Sequence, residues 1–314
     1  MMQPLVSICC VTYNHAPFIR QCIDGFLMQE TTFPIEILIH DDASTDGTDG
    51  ILREYVDKYP EKIFPLYEEQ NQYSQGVKVD FFNYNRAQGK YIAYCEGDDY
   101  WTDPLKLQKQ VDFMESHPDY SVCFHNYSNY DMETNVILPP KYTSGSSANG
   151  GDTDVSFTMV VSSSGCGGKP LTMMFRRSMY SCKWAEQYKY FRDTHEIYHL
   201  LRAGLGRYLN FNGAVYRIHG GGVHSSMSNE RNLITVRESM IELYLQNKRD
   251  HELRSNLVDV LLWNYYSYPT LKAKQNEFNL FSYVRQIPLP VCQACFRIIK
   301  RKIKTVGLKP THLS

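Results

Sequence analysis

The pattern of apolar and polar positions alternates strand-like and helix-like segments over the first 125 residues. Leu5 to Val11 is an almost continuous apolar run, typical of a strand that is buried on both faces of a parallel sheet. Asn14 is predicted to cap the helix that follows, with Pro17 in its first turn. Further strands are predicted at 35–39, 62–67, 91–95 and 120–125. Helices are predicted from Asn14 to about residue 28, from the polar loop at 40–48 to residue 59, over 79–88, and from Asp103-Pro104 to about residue 116. This alternation predicts an α/β fold.

The periodicity weakens between residues 128 and 168, where Gly, Ser and Asn accumulate and predict loops with a hairpin. Regular structure resumes with strands near 171–175 and 214–218. Helices are predicted near 178–189 and 194–203, from Asn229 onward, and over 252–267.

Two acidic pairs stand at predicted strand ends, Asp41-Asp42 after the second strand and Asp98-Asp99 after the fourth. Ligands of open parallel sheets bind at the carboxyl ends of the strands. Adjacent like charges cost stability unless a ligand or cation uses them. With Glu96, the second cluster has three carboxylates in four residues, which are hard oxygen ligands suited to Mg²⁺ or Mn²⁺.

A structural explanation of these acidic residues remains open, because loop Asp and Ser residues also cap helices. Asp46 or Ser44 is expected to cap the helix after the second strand whatever the function.

The 314 residues carry a formal charge of −1, which does not indicate a nucleic-acid partner. After Glu277, however, no acidic residue occurs, and the tail is basic, with Phe296, Ile299 and Ile303 at helical spacing. This pattern predicts either a helix lying on an anionic inner leaflet or a packed helix with a solvated basic face.

The nine cysteines show no disulfide framework, and Cys9-Cys10 within a strand suits reduced thiols. Cys292 and Cys295 lack a second ligand pair, so we do not expect a zinc site. The sequence shows no signal peptide and no apolar stretch of the ~20 residues that a membrane span requires. We therefore expect a cytoplasmic protein, peripheral to the cytoplasmic face of the inner membrane if the tail binds lipid.

Three segments in this order and spacing resemble signatures of the family 2 glycosyltransferases: VSICCVTYNHAPFIRQCIDGFLMQ, IEILIHDDASTDGT and GKYIAYCEGDDYW. The likeness covers residues 4 to about 126, and YRIHGGG at 216–222 is a thinner match. The resemblance implies the GT-A fold, a Rossmann-like, mostly parallel α/β sheet flanked by helices, here with a C-terminal helical extension. We expect residues 1–126 to bind a nucleotide sugar, 127–228 to form the acceptor-binding and catalytic half of the same domain, and 229–314 to form the helical extension with its basic tail.

The resemblance also implies roles for residues of the first two signatures. Thr12, Tyr13 and Asn14 are expected to line the nucleotide pocket. Asp42 would accept a hydrogen bond from the base, most commonly uracil, with Asp41 supporting the loop. The stretch from Asn71 to Arg86 would border the ribose and the donor sugar.

In the third signature, Glu96, Gly97 and Asp98 correspond to the DXD motif of the family. Asp98 would coordinate the Mn²⁺ or Mg²⁺ ion that bridges the donor diphosphate, and Asp99 would support that site or contact the donor sugar. Glu96 departs from the usual Asp, which leaves its role at the ribose or the metal open.

Family 2 enzymes invert the anomeric centre, and a base removes the acceptor proton. By order along the chain, Asp193 is the candidate base, with Glu196 and Glu186 as alternatives; a first-turn helix charge is the structural explanation of Asp193. His219, before three glycines, is expected near the metal or diphosphate, and Arg217 near the diphosphate. Thr172 matches a position that often borders the acceptor.

The resemblance therefore implies transfer of one hexosyl or N-acetylhexosaminyl unit from a nucleotide-diphosphate sugar, with a UDP-sugar as the first expectation. The acceptor would be a hydroxyl of a glycan or lipid-linked glycan in cell-surface polysaccharide synthesis. A non-catalytic sugar-nucleotide or glycan-binding protein is the main alternative. A nucleotidyltransferase is disfavoured because TYNHAPF, the loop after the first strand, contains no glycine or lysine.

Overall fold

The computed structural model describes residues 3–139, 151–161, 168–189, 191–221 and 229–267. Met1–Val260 form one compact unit, and Leu261–Ser314 form a second, of which only the end of the last helix lies within the described residues. The basic tail, with Cys292 and Cys295, lies outside them. The domain boundaries expected at residues 126 and 228 stay a prediction.

The described strands and helices follow the order expected from the sequence. The strands are β1 (Val6–Thr12), β2 (Ile35–Asp41), β3 (Ile63–Tyr67), β4 (Tyr91–Glu96), β5 (Tyr100–Trp101), β6 (Tyr120–Asp131), β7 (Val136–Leu138), β8 (Thr153–Asp154), β9 (Met174–Arg176) and β10 (Leu205–Ile218). The helices are α1 (Ile19–Leu27), α2 (Thr48–Lys58), α3 (Asp80–Arg86), α4 (Lys106–Ser116), α5 (Phe157–Val161), α6 (Asp193–Ala203), α7 (Asn229–Gln246) and α8 (His251–Ser267). Short 3₁₀ turns occupy 73–75, 170–172, 177–179 and 182–187.

The strands form one mixed sheet in the order β3-β2-β1-β4-β9-β6-β10-β5, with β7 beside β6 and β8 beside β10. Pairing is parallel from β3 through β4 and between β6 and β10, whereas β9 runs antiparallel to both of its neighbours. The predicted mostly parallel α/β sheet flanked by helices is therefore confirmed. Its apolar strands are buried by helices and loops on both faces, as the sequence of β1 indicates.

The register of the central strands brings the predicted site to one edge. Thr12 of β1 lies opposite Asp41 of β2, and Val11 lies opposite Glu96 of β4. Because these strands are parallel, the loops that follow them begin side by side at the carboxyl edge of the sheet.

The predicted cap of α1 is wrong. The helix begins at Ile19, its N-cap residue is Phe18, and no side chain caps it. Asn14 instead adopts a left-handed backbone conformation with φ 54°, and its side chain bonds to the next loop. The expected cap of α2 is wrong as well: its N-cap residue is Gly47, and neither Asp46 nor Ser44 caps it, although Asp46 Oδ1 accepts hydrogen bonds from the N–H and the hydroxyl of Thr48.

Other boundaries differ because pairing and bulges override the local pattern. β10 begins at Leu205 rather than near 214, and its register against β6 shifts at three points, which breaks the alternation that predicts a strand. The helix predicted near 178–189 consists of 3₁₀ turns, and the strand predicted over 171–175 begins only at Met174.

The six cysteines within the described residues are all free thiols, as expected for Cys9 and Cys10. Among those residues, no helix is both long and apolar enough to cross a membrane.

Candidate active site

The loops after β1 and β2 are tied to each other by side chains of both. The N–H of Asn14 donates to Ser44 Oγ at 2.9 Å, and Asn14 Oδ1 accepts from the N–H of Thr45 at 2.8 Å. The N–H of Ala16 donates to Asp46 Oδ2 at 2.9 Å. Asn14 therefore orders this edge of the site, and its contact with a nucleotide stays a prediction.

Asp41 and Asp42 are both buried, and both support loops. Asp41 Oδ1 accepts the hydroxyl of Ser44 at 2.5 Å, and burial raises the pKa of Asp41. The two carboxylate oxygens of Asp42 accept the N–H groups of Gln72 at 2.7 Å and Tyr73 at 3.0 Å. Asp42 thereby holds the loop that leads from β3 to α3, inside the stretch expected to border the ribose. A carboxylate oxygen has two lone pairs, so these bonds leave acceptor capacity for a nucleobase.

Thr12 and Tyr13 lie differently at the end of β1. Tyr13 is 43% exposed, and its contact with a base stays a prediction. Thr12 is fully buried, and its hydroxyl has no hydrogen-bond partner within the described residues.

Gly97 fits against Thr12 with no room for a side chain. A Cβ at this position would lie 2.7 Å from Thr12 Oγ1 and 2.9 Å from His15 Nδ1. The backbone after β4 therefore approaches the loop after β1 only because residue 97 is glycine.

Gly97→Ala is expected to destabilise the protein by about 1–3 kcal/mol and to weaken nucleotide binding, because the loop must shift away from Thr12. Thermal unfolding and nucleotide titration measure the two effects. Gly50→Ala is the matched control, since a Cβ at Gly50 has no atom within 4 Å. Equal behaviour of the two variants would contradict the close packing of Gly97.

Glu96, Asp98 and Asp99 bring carboxylate oxygens within 4.8 Å of one another. Asp99 is buried, Asp98 is half-buried, and Glu96 is exposed to solvent. Desolvation, and then the charge of Asp98, raises the pKa of both Glu96 and Asp99. The three groups therefore repel one another in the ionised form.

This donor set fits a hard divalent cation. Carboxylate oxygens are the ligands that Mg²⁺ and Mn²⁺ prefer, and a cation would relieve the repulsion that raises these pKa values. Within the described residues, no other group of three or more acidic, His or Cys side chains has ligand atoms so close together.

Two histidines flank Asp98. His219 Nε2 lies 3.0 Å from Asp98 Oδ2, and His15 Nε2 lies 3.8 Å from the same oxygen. Burial acts to raise the pKa of Asp98, but the hydrogen bond with His219 and the charges of both histidines outweigh it, so the pKa is lowered. The structure thus brings His219 to Asp98 across 121 positions of sequence, whereas its binding of a metal stays a prediction.

Arg217 is buried and fastens the acidic loop in place. Its backbone N–H donates to Asp99 Oδ1 at 2.8 Å, and its guanidinium donates to the carbonyl of Asp98 and to Gln21 Oε1. The guanidinium also lies 4.4 Å from the centre of the Tyr100 ring. These contacts favour a positioning role for Arg217. Direct binding of the diphosphate by its guanidinium stays a prediction.

Asp193 is the first residue of α6, and its Oδ1 accepts the N–H of Thr194 at 2.8 Å. It lies within electrostatic range of the acidic cluster, since its charge raises the pKa of Glu96. Asp193 therefore occupies a first-turn position, as the structural explanation expected, and its role as the base stays a prediction. Both roles remain compatible.

The two alternative bases are placed less favourably. Glu196 is buried, its Oε1 lacks a hydrogen-bond partner within the described residues, and burial raises its pKa well above the usual value. A carboxyl group with a raised pKa and no partner for this oxygen is placed less favourably as a base than Asp193. Glu186 is exposed on the 3₁₀ turn over 182–187. Thr172 is fully buried, and its hydroxyl donates to a backbone carbonyl.

Two further charged residues, which were not singled out from the sequence, affect the pKa values of the acidic residues. Asp80, the first residue of α3, has a pKa raised by burial and by Asp193, and its charge raises that of Glu96. The positive charge of Lys169 acts to lower the pKa of Glu96 and of Asp99. Asp80 fell within the broad stretch expected near the sugar, whereas Lys169 stands at the end of a segment with weak periodicity and carries no motif.

The family model and the curated relatives named below are all described as glycosyltransferases. A sequence model described as Glycosyl transferase family 2 matches residues 7–202, more than half of the chain. The putative teichuronic acid biosynthesis glycosyltransferase TuaG of Bacillus subtilis is 34% identical over 130 residues, 41% of this chain and 48% of TuaG. The Escherichia coli UDP-Glc:alpha-D-GlcNAc-diphosphoundecaprenol beta-1,3-glucosyltransferase WfaP is 33% identical over 141 residues, 45% of this chain and 51% of WfaP. The matches span about a third to a half of the length of the curated relatives.

Solved structures share the fold. S. aureus TarS 1-349 in complex with UDP-GlcNAc superposes with a TM-score of 0.59 and 17% identity, covering 88% of this chain and 77% of that one. The mannosyltransferase PcManGT from Pyrobaculum calidifontis, in complex with GDP-Man and Mn²⁺, gives a TM-score of 0.56 and 16% identity, covering 99% and 82%. The GT-A architecture expected from the sequence is therefore confirmed.

Proposed function

Because the chain belongs to glycosyl transferase family 2, we propose that it transfers one sugar from a nucleotide-diphosphate sugar to an acceptor hydroxyl, with inversion. The observation that carries this proposal is the group of three carboxylates, Glu96, Asp98 and Asp99, whose oxygens lie within 4.8 Å of one another at the sheet edge. A UDP-sugar is the first expectation, supported by the UDP-GlcNAc complex of TarS and the name of WfaP.

The three carboxylates would hold Mn²⁺ or Mg²⁺, with Asp98 as the principal ligand. Such an ion neutralises charge that develops on the departing diphosphate. The complex of PcManGT contains Mn²⁺, which supports manganese as the first ion to test. His219 forms a hydrogen bond with Asp98, and Arg217 holds the loop that carries Asp98 and Asp99.

Asp193 would accept the proton of the acceptor hydroxyl. Its place at the start of α6 leaves one oxygen bonded to the N–H of Thr194, and the other is available to a substrate. A base in hydrogen-bond reach of the attacking hydroxyl contributes about 10²–10⁴-fold to the rate.

The acceptor would be a glycan or a lipid-linked glycan of a cell-surface polysaccharide, and the donor sugar a hexose or N-acetylhexosamine. The names of WfaP and TuaG support this setting, since one acts on a diphosphoundecaprenol-linked acceptor and the other is assigned to teichuronic acid biosynthesis. Such lipid-linked acceptors are consistent with a cytoplasmic enzyme that works at the inner face of the membrane.

Removal of residues 286–314 is expected to abolish flotation of the protein with vesicles that contain anionic lipid, because the basic tail supplies the attraction. Zwitterionic vesicles are the control, since the electrostatic term is absent there. Equal flotation of the full-length and shortened chains would reject membrane binding by the tail and leave its basic face as a solvated surface.

A screen of nucleotide sugars in the presence of Mn²⁺ tests the proposed function. We expect one donor to raise the melting temperature and to release free nucleoside diphosphate, slowly with water and faster with a matching acceptor. Binding without release under any condition would instead identify a non-catalytic sugar-nucleotide-binding protein. The absence of both would contradict the proposal.

A further inference from the structure

We propose that Lys169 binds the diphosphate of the donor and is a catalytic cation of this site. The inference rests on the proposed function and adds a residue that the motifs of the sequence do not contain. Three observations support it. Residues 168–172 are held to the acidic loop, the lysine side chain lies over Tyr216, and the other cations named below are already hydrogen-bonded to the protein.

The backbone around Lys169 is fixed to the acidic loop. The carbonyl of Lys169 accepts the N–H of Thr172 at 3.0 Å and its hydroxyl at 2.8 Å, which closes the 3₁₀ turn over 170–172. The indole N–H of Trp101 donates to the carbonyl of Leu171 at 3.0 Å. Because Trp101 follows Asp98-Asp99 by two residues, the turn and the acidic loop are held to each other.

The residue before Lys169, Gly168, packs closely against β6 and α6. A Cβ at Gly168 would lie 2.9 Å from Ile197 Cδ1 and 3.1 Å from Phe124 Cε1. The chain therefore enters Lys169 between β6 and α6, the helix that carries Asp193.

The side chain of Lys169 extends over the ring of Tyr216, with Nζ 4.1 Å from the ring centre. Tyr216 precedes Arg217, whose N–H bonds to Asp99. The charge of Lys169 acts to lower the pKa of Glu96 and Asp99, and its ammonium forms no ion pair with any described residue. A cation held beside carboxylates without pairing to them leaves its donors for another anion.

Other cations nearby are engaged. The guanidinium of Arg217 bonds to the carbonyl of Asp98 and to Gln21, and Lys78 Nζ donates to the carbonyl of Phe191 at 3.3 Å. His219 contacts Asp98. Lys169 is thus the cation best placed to donate to a diphosphate oxygen beside the carboxylates, where negative charge grows as the sugar–phosphate bond breaks.

The test compares Lys169→Gln with Lys169→Arg and with Lys109→Gln. Lys109 is a matched control, because its ammonium also lies over an aromatic ring, that of Phe211, at 4.7 Å, but pairs with Asp103 outside the site. Binding of nucleoside diphosphate and of nucleoside monophosphate is titrated in Mn²⁺ without acceptor, and donor turnover is measured separately. Circular dichroism melting confirms that each variant folds.

Lys169→Gln is expected to weaken diphosphate binding about 10-fold, leave monophosphate binding within about 2-fold, and lower the turnover number about 10²-fold. Lys169→Arg retains most diphosphate binding, and Lys109→Gln behaves as the wild type. Equal losses for both nucleotides, or a loss confined to the KM for acceptor, would overturn the proposal. Failure of the wild type to bind or turn over any donor would instead contradict the proposed function itself.

Discussion

Asp98→Asn is expected to lower release of nucleoside diphosphate from the donor by about 10²–10³-fold, the largest loss that we predict at the acidic loop. The neutral amide keeps the shape of the side chain but removes the charge that anchors a divalent cation. It also removes the charged partner of His219, whose Nε2 lies 3.0 Å from Asp98 Oδ2. A coupled assay for nucleoside diphosphate measures the loss at saturating donor.

The control for this variant is Asp112→Asn, which makes the same chemical change on α4, where the exposed carboxylate accepts a side-chain hydrogen bond from Gln108. It is expected to keep wild-type activity. Raising the concentration of Mn²⁺ should restore part of the activity of Asp98→Asn, because the weakened site still binds the ion when its concentration is high enough. Retention of activity within about 3-fold at low Mn²⁺ would show that Asp98 is not the principal ligand.

Asp193→Asn is expected to lower sugar transfer by about 10²–10⁴-fold while leaving the affinity for nucleoside diphosphate and Mn²⁺ unchanged. The asparagine oxygen still accepts the N–H of Thr194, so the start of α6 keeps its hydrogen bond. The lost first-turn charge costs only about 0.3–1 kcal/mol of stability. Turnover with acceptor and calorimetric titration with nucleotide separate the two effects.

Glu196→Gln is the matched comparison on the same helix. Burial raises the pKa of Glu196, and its Oε1 has no hydrogen-bond partner within the described residues, so the amide keeps the size of the side chain without removing a bond made by that oxygen. We expect activity within a few-fold of the wild type. Loss of transfer in Glu196→Gln, with activity kept in Asp193→Asn, would transfer the role of base to Glu196.

The site was largely predictable where chemistry follows local pattern. Apolar runs specify buried parallel strands, and the acidic residues that end them must meet at one edge of the sheet. The neighbouring positions of Asp41 and Glu96, on strands that flank β1, follow from this rule and the strand register alone.

The contacts between distant segments were less predictable, because no local pattern encodes them. The sequence predicts that Asn14 caps a helix, but its side-chain oxygen instead accepts a hydrogen bond from the N–H of Thr45 in the loop after β2. The length of β10 was hidden by bulges against β6. The position of Lys169 over the ring of Tyr216 depends on the packing of Gly168 and on the hydrogen bond from Trp101 to Leu171, contacts between segments far apart in sequence.

The most direct test of the account is a calorimetric titration of nucleoside diphosphate, UDP first, with Mn²⁺ and with a chelator. If the carboxylates of the acidic loop hold an ion that bridges the diphosphate, affinity rises at least about 10-fold with Mn²⁺ in the wild type, equivalent to about 1.4 kcal/mol. The same rise is absent in Asp98→Asn. Equal affinity in Mn²⁺ and chelator, or an unchanged rise in Asp98→Asn, would contradict the account.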